Sequence, residues 1–370
     1  MKNYAFSNRP RRVLAFISLT TFLLTLTFLF VGCGRPETSG LSFDSEPNNK
    51  NRPCVVVSTT DLYSITKAIA GDYLELHCFG KGHQDPHVLN ILPSHVKQMN
   101  EADLWIQVGS DIEAGWYPDL ISKVKNQQIT IGKLGFLDLS TNAFSLEGYV
   151  GGNLFTRQKS GFHEKGNPHY LLDPIEGIKA GSSILQRLSI IFPSKKDEMA
   201  INYAGFRQQL AAALIGEELA QRHDVIEIAN HYTNGSLNLF LEKQDHGIPL
   251  GGWLGSLRGS KGRVIVGDHD LWPYFVRRIG LSIVGYFEPK PGLPPTMKHL
   301  KLLIEDMAKN NANLIFSAPY FDERHADFIS VRTSAKILPM CHQTGARPYT
   351  QSYFDTIRHN MENVIKALAE

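Results

Sequence analysis

The sequence predicts an α/β protein of two lobes, each a mostly parallel sheet flanked by helices, joined by one long linking helix. Three observations predict it. Short β-branched runs alternate with stretches of helical periodicity, as in βαβ units. The alternation occurs twice, once in each half of the chain. Between the halves, Ser194 to Ala220 repeats apolar residues every three or four positions. With 370 residues, 42% of them hydrophobic, the chain is long enough for two buried cores.

The elements follow in order. Val55-Val56-Val57-Ser58 reads as a buried parallel strand. Leu62, Ile65 and Ile69 then fall at helical spacing, and Tyr73 to Phe79 reads as a second strand. Ser94 to Asn100 begins a helix, Leu104 to Val108 is a third strand, and Ile129 to Leu134 a candidate fourth. In the linking stretch Ser194 is a plausible N-cap, with Asp197 and Glu198 in the first turn. Met199, Tyr203, Phe206, Leu210 and Leu214 carry its apolar stripe, and its full length would be roughly 40 Å.

The second half opens with Arg222 to Gly252, a segment whose pattern assigns no element, with a polar Asn-His-Tyr-Thr-Asn-Gly-Ser run and several turn signals. Strands are then expected at Val264–Gly267, Ser282–Phe287, Leu314–Ser317 and Lys336–Met340. Helices are expected at Trp272–Ile279, Met297–Lys309, Glu323–Thr333 and Tyr353–Leu368.

The N-terminus is an address. Lys2, Arg9, Arg11 and Arg12 precede an apolar run from Val13 to Val31, and Gly32-Cys33 follows. A basic start, an apolar core and a small residue before the cut describe a secretory signal. The competing reading is a transmembrane anchor, since 19 residues just span a bilayer. Cys33 after the small residue resembles a bacterial lipobox, which implies lipidation of its thiol and cleavage before it. The expected organisation is a signal peptide at 1–32, a flexible tether at 33–52, an N-terminal lobe at 53–193, the linking helix at 194–221 and a C-terminal lobe at 222–370. The mature protein is thus expected outside the cytoplasm, on the periplasmic side and lipid-anchored to a bacterial membrane.

Removing the first 32 residues leaves 34 basic against 36 acidic residues. No basic cluster remains, which argues against nucleic acid as a partner. Of the other cysteines, Cys54 should start the first strand and Cys78 should end the second. In parallel neighbours these ends are far apart, so no disulfide is expected between them.

The 14 histidines are where chemistry can reside. In open parallel sheets ligands bind beyond the carboxyl ends of the strands. His87 follows the second strand, His269 the first strand of the second half, and His342 its last strand. His169 lies just before a helix. Imidazoles at strand ends in both lobes can converge on one cleft, and imidazole suits zinc, copper, iron and nickel.

These motifs resemble the metal-binding receptors of zinc- and manganese-type ABC importers, from about Cys54 to the C-terminus. Asp85-Pro86-His87 with Pro93-Ser94-His95-Val96-Lys97 resembles the first-ligand segment. Asn167-Pro168-His169-Tyr170-Leu171-Leu172-Asp173-Pro174 resembles the second, and His269-Asp270-Leu271-Trp272-Pro273-Tyr274-Phe275 the third. The resemblance implies a rigid linking helix with small lobe movement, and a divalent cation held by His87, His169 and His269. The fourth-ligand position reads Cys341-His342, where an Asp is common in the family, so His342 is the expected fourth ligand, with Cys341 or an open, water-filled position the alternatives. Such a nitrogen-rich site favours Zn²⁺ on ligand type, with Mn²⁺, Fe²⁺ or copper as alternatives. Asp268 and Asp270 flank His269 and are expected either to orient its imidazole or, for Asp270 above all, to cap the next helix.

The expected function is therefore a monomeric, non-enzymatic receptor that captures a divalent cation between its lobes and delivers it to an ABC permease. An extracytoplasmic zinc enzyme is the alternative from another class. It would need a general base beside a metal-bound water, and the chain has no His-Glu-x-x-His.

Overall fold

In a computed structural model, the described residues are 52–146, 166–244, 248–288 and 294–369. Cys33, the signal and tether segments up to residue 51, and His163 lie outside them. Lys50–Glu370 forms one compact unit.

The first sheet comprises β1 (Cys54–Val57), β2 (Glu75–Cys78), β3 (Leu104–Gln107) and β4 (Phe136–Asp138), ordered β2-β1-β3-β4 and all parallel. α1 (Thr60–Ala70), α2 (Pro93–Glu101) and α3 (Tyr117–Ser122) connect them. α4 (Pro174–Ile191) follows a 3-10 turn at His169–Leu172, α5 spans Lys196–Ile215, and α6 spans Glu217–Arg222. α7 (Val225–Asn234), α8 (Leu237–Gln244) and α9 (Gly252–Ser256) precede the second sheet. That sheet comprises β5 (Val264–Gly267), β6 (Ser282–Tyr286), β7 (Leu314–Ser317) and β8 (Lys336–Pro339), ordered β6-β5-β7-β8 and again all parallel. α10 (Pro273–Ile279), α11 (Met297–Lys309), α12 (Glu323–Thr333) and the closing α13 (Tyr353–Ala369) complete the fold.

The inner strands β1, β3, β5 and β7 are largely apolar on both faces because both faces are covered. Val55 and Val57 point into a central core and Val56 into an outer one, as alternation along a strand requires. Leu104 and Ile106 share that central core, and so do Ile265, Leu314 and Phe316 of the second sheet. One apolar layer thus joins the inner faces of both sheets through α1, α4, α5 and α13. Val266 and Ile315 face the second sheet's own outer layer under α11 and α12.

Three expectations are corrected. The linking stretch is two helices, because Gly216 sits at φ 89° and its Cα packs on Gly251, where a Cβ would lie 2.9 Å from the Gly251 Cα. α5 alone has 20 residues, about 30 Å. Its N-cap is Lys195, not Ser194, since Pro193–Lys195 forms a 3-10 turn first. The fourth strand is Phe136–Asp138 rather than Ile129–Leu134, whose Ile131 and Leu134 are exposed. The stretch after Arg222, to which the sequence assigns no element, is largely helical: Asp224 caps α7 through Ile226 N–H, and Gly235 ends it in the left-handed conformation. Cys54, Cys78 and Cys341 are all free thiols.

Candidate metal centre

Each candidate ligand follows an element that fixes its backbone. His87 lies in the loop after β2, held where Trp116 Nε1 donates to the Pro86 carbonyl at 3.0 Å. Asp85 Oδ1 accepts from both the backbone N–H of His87 (2.9 Å) and its Nδ1 (2.8 Å). A carboxylate only accepts, so the ring proton sits on Nδ1 and the lone pair on Nε2. Burial pushes the Asp85 carboxyl up, but the hydrogen bonds and charge of His87 outweigh it and hold it below its ordinary range.

His169 repeats the device one motif later. Asn167 Oδ1 accepts from the His169 backbone N–H at 2.9 Å and from its Nδ1 at 3.1 Å. The Asn167 Nδ2 donates to the Asp270 carbonyl at 2.8 Å, which fixes the amide's orientation. His169 therefore also carries its proton on Nδ1 and presents Nε2. Asn167 ties the second-ligand turn to the third-ligand loop, and Tyr274 Oη reinforces the tie by donating to the Asn167 carbonyl at 2.9 Å.

His269 follows β5 and is buried. Asp268 accepts from the His269 backbone N–H (2.8 Å), Trp272 Nε1 (2.7 Å) and Ala318 N–H (2.5 Å). It braces the loop through the backbone, not the imidazole, and burial pushes its carboxyl up to about 7. Asp270 does not cap α10, whose N-cap is Trp272 with no side-chain cap. Instead Asp270 accepts from Tyr286 Oη at 2.6 Å.

The His87 and His169 ring centroids are 5.3 Å apart, and those of His169 and His269 6.3 Å. Two imidazoles on one tetrahedral zinc, with Zn–N near 2.0–2.1 Å, place their centroids about 5.2 Å apart. The first pair matches; the second must close by about 1 Å. Among the described residues no three His, Cys, Asp or Glu side chains stand close enough to hold a metal ion. The Nε2 atoms of His87 and His169 and both ring nitrogens of His269 are enclosed from solvent.

His342 lies beyond β8, buried against Tyr320, with ring centroids 4.4 Å apart. Its Nε2 lies 3.1 Å from the Gln84 carbonyl and 3.1 Å from Gln343 Nε2; donation to the carbonyl puts the proton on Nε2 and the lone pair on Nδ1, which is buried and makes no hydrogen bond. Burial drives its pKa down to about 4, so the ring is neutral and the lone pair is present at neutral pH. Cys341 is locked at its backbone by Asn360, and burial raises its thiol to about 11 despite Arg347 and Thr350 beside it.

Two of the other histidines have partners of their own. His231 bonds Ser236 Oγ at 2.7 Å and stacks on Phe240; His95 stacks on Phe79. Sequence reasoning missed Asp85 and Asn167 as orienters, although Asp-Pro-His and Asn-Pro-His repeat the same spacing. It also missed Gln343 and Tyr320, for which no local signal exists.

The profile of the family described as zinc-uptake complex component A, periplasmic, matches residues 55–225 and 255–367. The manganese ABC transporter substrate-binding lipoprotein PsaA of Streptococcus pneumoniae is 23% identical over 360 residues, covering 95% of this chain and 98% of that one. The high-affinity zinc uptake system protein ZnuA of Yersinia pestis is 24% identical over 286 residues, covering 75% and 79%. Among solved structures, one of ZnuA superposes with a TM-score of 0.60 at 17% identity, over 86% of this chain and 99% of that one. A mutant structure of the laminin-binding adhesin Lmb of Streptococcus agalactiae gives 0.61 at 19% identity, over 85% and 99%. Both share the fold.

Proposed function

The chain belongs to the periplasmic zinc-uptake component A family, and from that membership we propose that it is the extracytoplasmic receptor of a metal ABC importer, with zinc as its cargo. It captures a divalent cation between the two sheets and hands it to the permease. The observation that carries the metal reading is the tautomer set, and the all-imidazole donor set is what supports zinc as the ion. His87, His169 and His342 each have one ring nitrogen committed to an oxygen acceptor, leaving the other with a lone pair inside the protein. Metal-ligating histidines are held in this way.

Zinc fits an all-imidazole set of His87, His169, His269 and His342, and Mn²⁺ prefers carboxylate and water. Asp85 is engaged by His87, and Asp268 by backbone and Trp272. With the family membership, this supports a receptor that makes and breaks no bond. Lipidation at Cys33 tethers it to the membrane, and it acts as a monomer. Manganese, the metal named for the PsaA relative, is the second reading.

The test is metal analysis of the compact unit from Lys50 onward, purified without chelator, then titration with Zn²⁺ and Mn²⁺. One tightly held zinc per chain, lost in His87→Ala/His269→Ala, is expected. Preference for Mn²⁺, or unchanged binding in the double variant, overturns the zinc reading or the ligand set respectively.

A further inference from the structure

Three consecutive residues beyond β8 are stitched to the first half of the chain. His342 Nε2 donates to the Gln84 carbonyl at 3.1 Å. Gln343 Nε2 donates to the carbonyls of Lys81 (3.1 Å) and Gln84 (2.8 Å). Thr344 donates to Asp61 Oδ1 through both N–H and Oγ1, each at 2.7 Å, and its carbonyl accepts from Thr60 Oγ1 at 2.7 Å. Backbone contact accompanies the bonds: a Cβ on Gly82 would run into the Thr344 carbonyl and the Gly345 backbone.

Gln343 is the centre of this stitch. Its side chain is 3% exposed and both its amide hydrogens are spent on carbonyls. Two acceptors facing one amide fix which end is nitrogen, so the orientation admits no flip. The loop it grips, Lys81 to Gln84, leads directly into Asp85 and His87. The Gln84 carbonyl it shares with His342 is also the group that fixes the His342 tautomer.

We infer that Gln343 is a positioning residue: it clamps the first-ligand loop onto the fourth-ligand segment and so sets His87 relative to His342 before the ion arrives. The inference rests on the proposed metal reading. It gives the chain a first-ligand loop and a fourth-ligand segment held together in advance by neutral donors. Affinity gained this way comes from ordering already present in the free protein.

The experiment compares wild type with Gln343→Met, which keeps the bulk of the side chain and removes both donors, and with Gly82→Ala, which pushes the loop off its seat. In the metal-free unit, hydrogen exchange at residues 82–92 should quicken at least about tenfold in both variants, while β1 amides stay protected. Zn²⁺ affinity, read by competition with a chelator, should fall about 10- to 100-fold with one ion per chain retained. Unchanged exchange and affinity in Gln343→Met overturn the inference, as does a lowered melting temperature with affinity within about twofold of wild type, which marks a merely structural role. Wild type that binds no divalent ion overturns the metal reading and this inference with it. Wild type that binds while Gln343→Met binds equally well overturns this inference alone.

Discussion

The imidazole rings of His87 and His169 lie 5.3 Å apart, centroid to centroid, with planes inclined at 58°. They come from segments 82 positions apart, and each is oriented by the side chain two residues before it. Asp-Pro-His and Asn-Pro-His are thus one local device used twice. In each, the first residue turns back on the histidine's own N–H and Nδ1, with proline between them.

Removing an orienter should weaken binding without removing a ligand. Asp85→Ala and Asn167→Ala are each expected to lower Zn²⁺ affinity about 10- to 100-fold at unchanged stoichiometry. Asn167→Ala should cost more, because Asn167 also grips the Asp270 carbonyl of the third-ligand loop. Calorimetric titration of the two variants checks both the loss and its order.

His342→Asp replaces a nitrogen donor by a carboxylate at the position where ligand type sets metal preference. The ratio of Zn²⁺ to Mn²⁺ affinity is expected to fall at least about tenfold, chiefly by a gain for Mn²⁺. Parallel titrations with the two ions measure it. A ratio that does not move means that His342 stands outside the coordination sphere.

The strands were legible because buried parallel strands are apolar throughout, and Val55-Val56-Val57 or Leu314-Ile315-Phe316 admits few other readings. β4 was misplaced because Ile131 and Leu134 are apolar residues left on the surface, 77% and 50% exposed. The linking helix was read too long because Gly216 looks like a tolerated helical glycine until its contact with Gly251 is known. The histidines' positions followed from strand ends and motif order. Their tautomers did not, since those depend on oxygen atoms such as the Gln84 carbonyl, 258 positions from His342.

Arg278 and Asp173 form a buried ion pair, each side chain 1% exposed, with Arg278 Nε and Nη2 on the carboxylate at 2.9 Å. Asp173 also caps α4 through Ile175 N–H, and Arg278 Nη1 reaches the Ala229 carbonyl of α7. Arg278→Met strands a buried carboxylate and should destabilise by about 3–5 kcal/mol. Asp173→Asn/Arg278→Met keeps the cap and removes the stranded charge, so it should recover about half of that loss or more. Denaturant unfolding of the metal-free unit compares the two; a double variant no more stable than the single would mean that packing, not charge, sets the cost.

Glu113 carries the last prediction. Its carboxylate is buried beyond the end of β3 and accepts from Val108 N–H at 2.8 Å and Gly109 N–H at 3.0 Å. Burial outweighs those hydrogen bonds and raises its pKa from 4.5 to about 7. Between these values the folded protein holds a proton that the unfolded chain has released. Stability from this group is therefore fully present below about pH 4.5 and is lost as pH rises through about 7, by up to roughly 3 kcal/mol. Asp61 and Asp268 are raised as well, so the wild-type profile alone does not isolate Glu113. The difference between wild type and Glu113→Gln does. Glutamine does not titrate and keeps one acceptor, so the variant starts with a fixed deficit. That deficit should shrink steadily from pH 5 to pH 8, by several degrees in melting temperature. A deficit constant across that range would show that Glu113 is ionised in the folded protein, with its two backbone donors outweighing its burial.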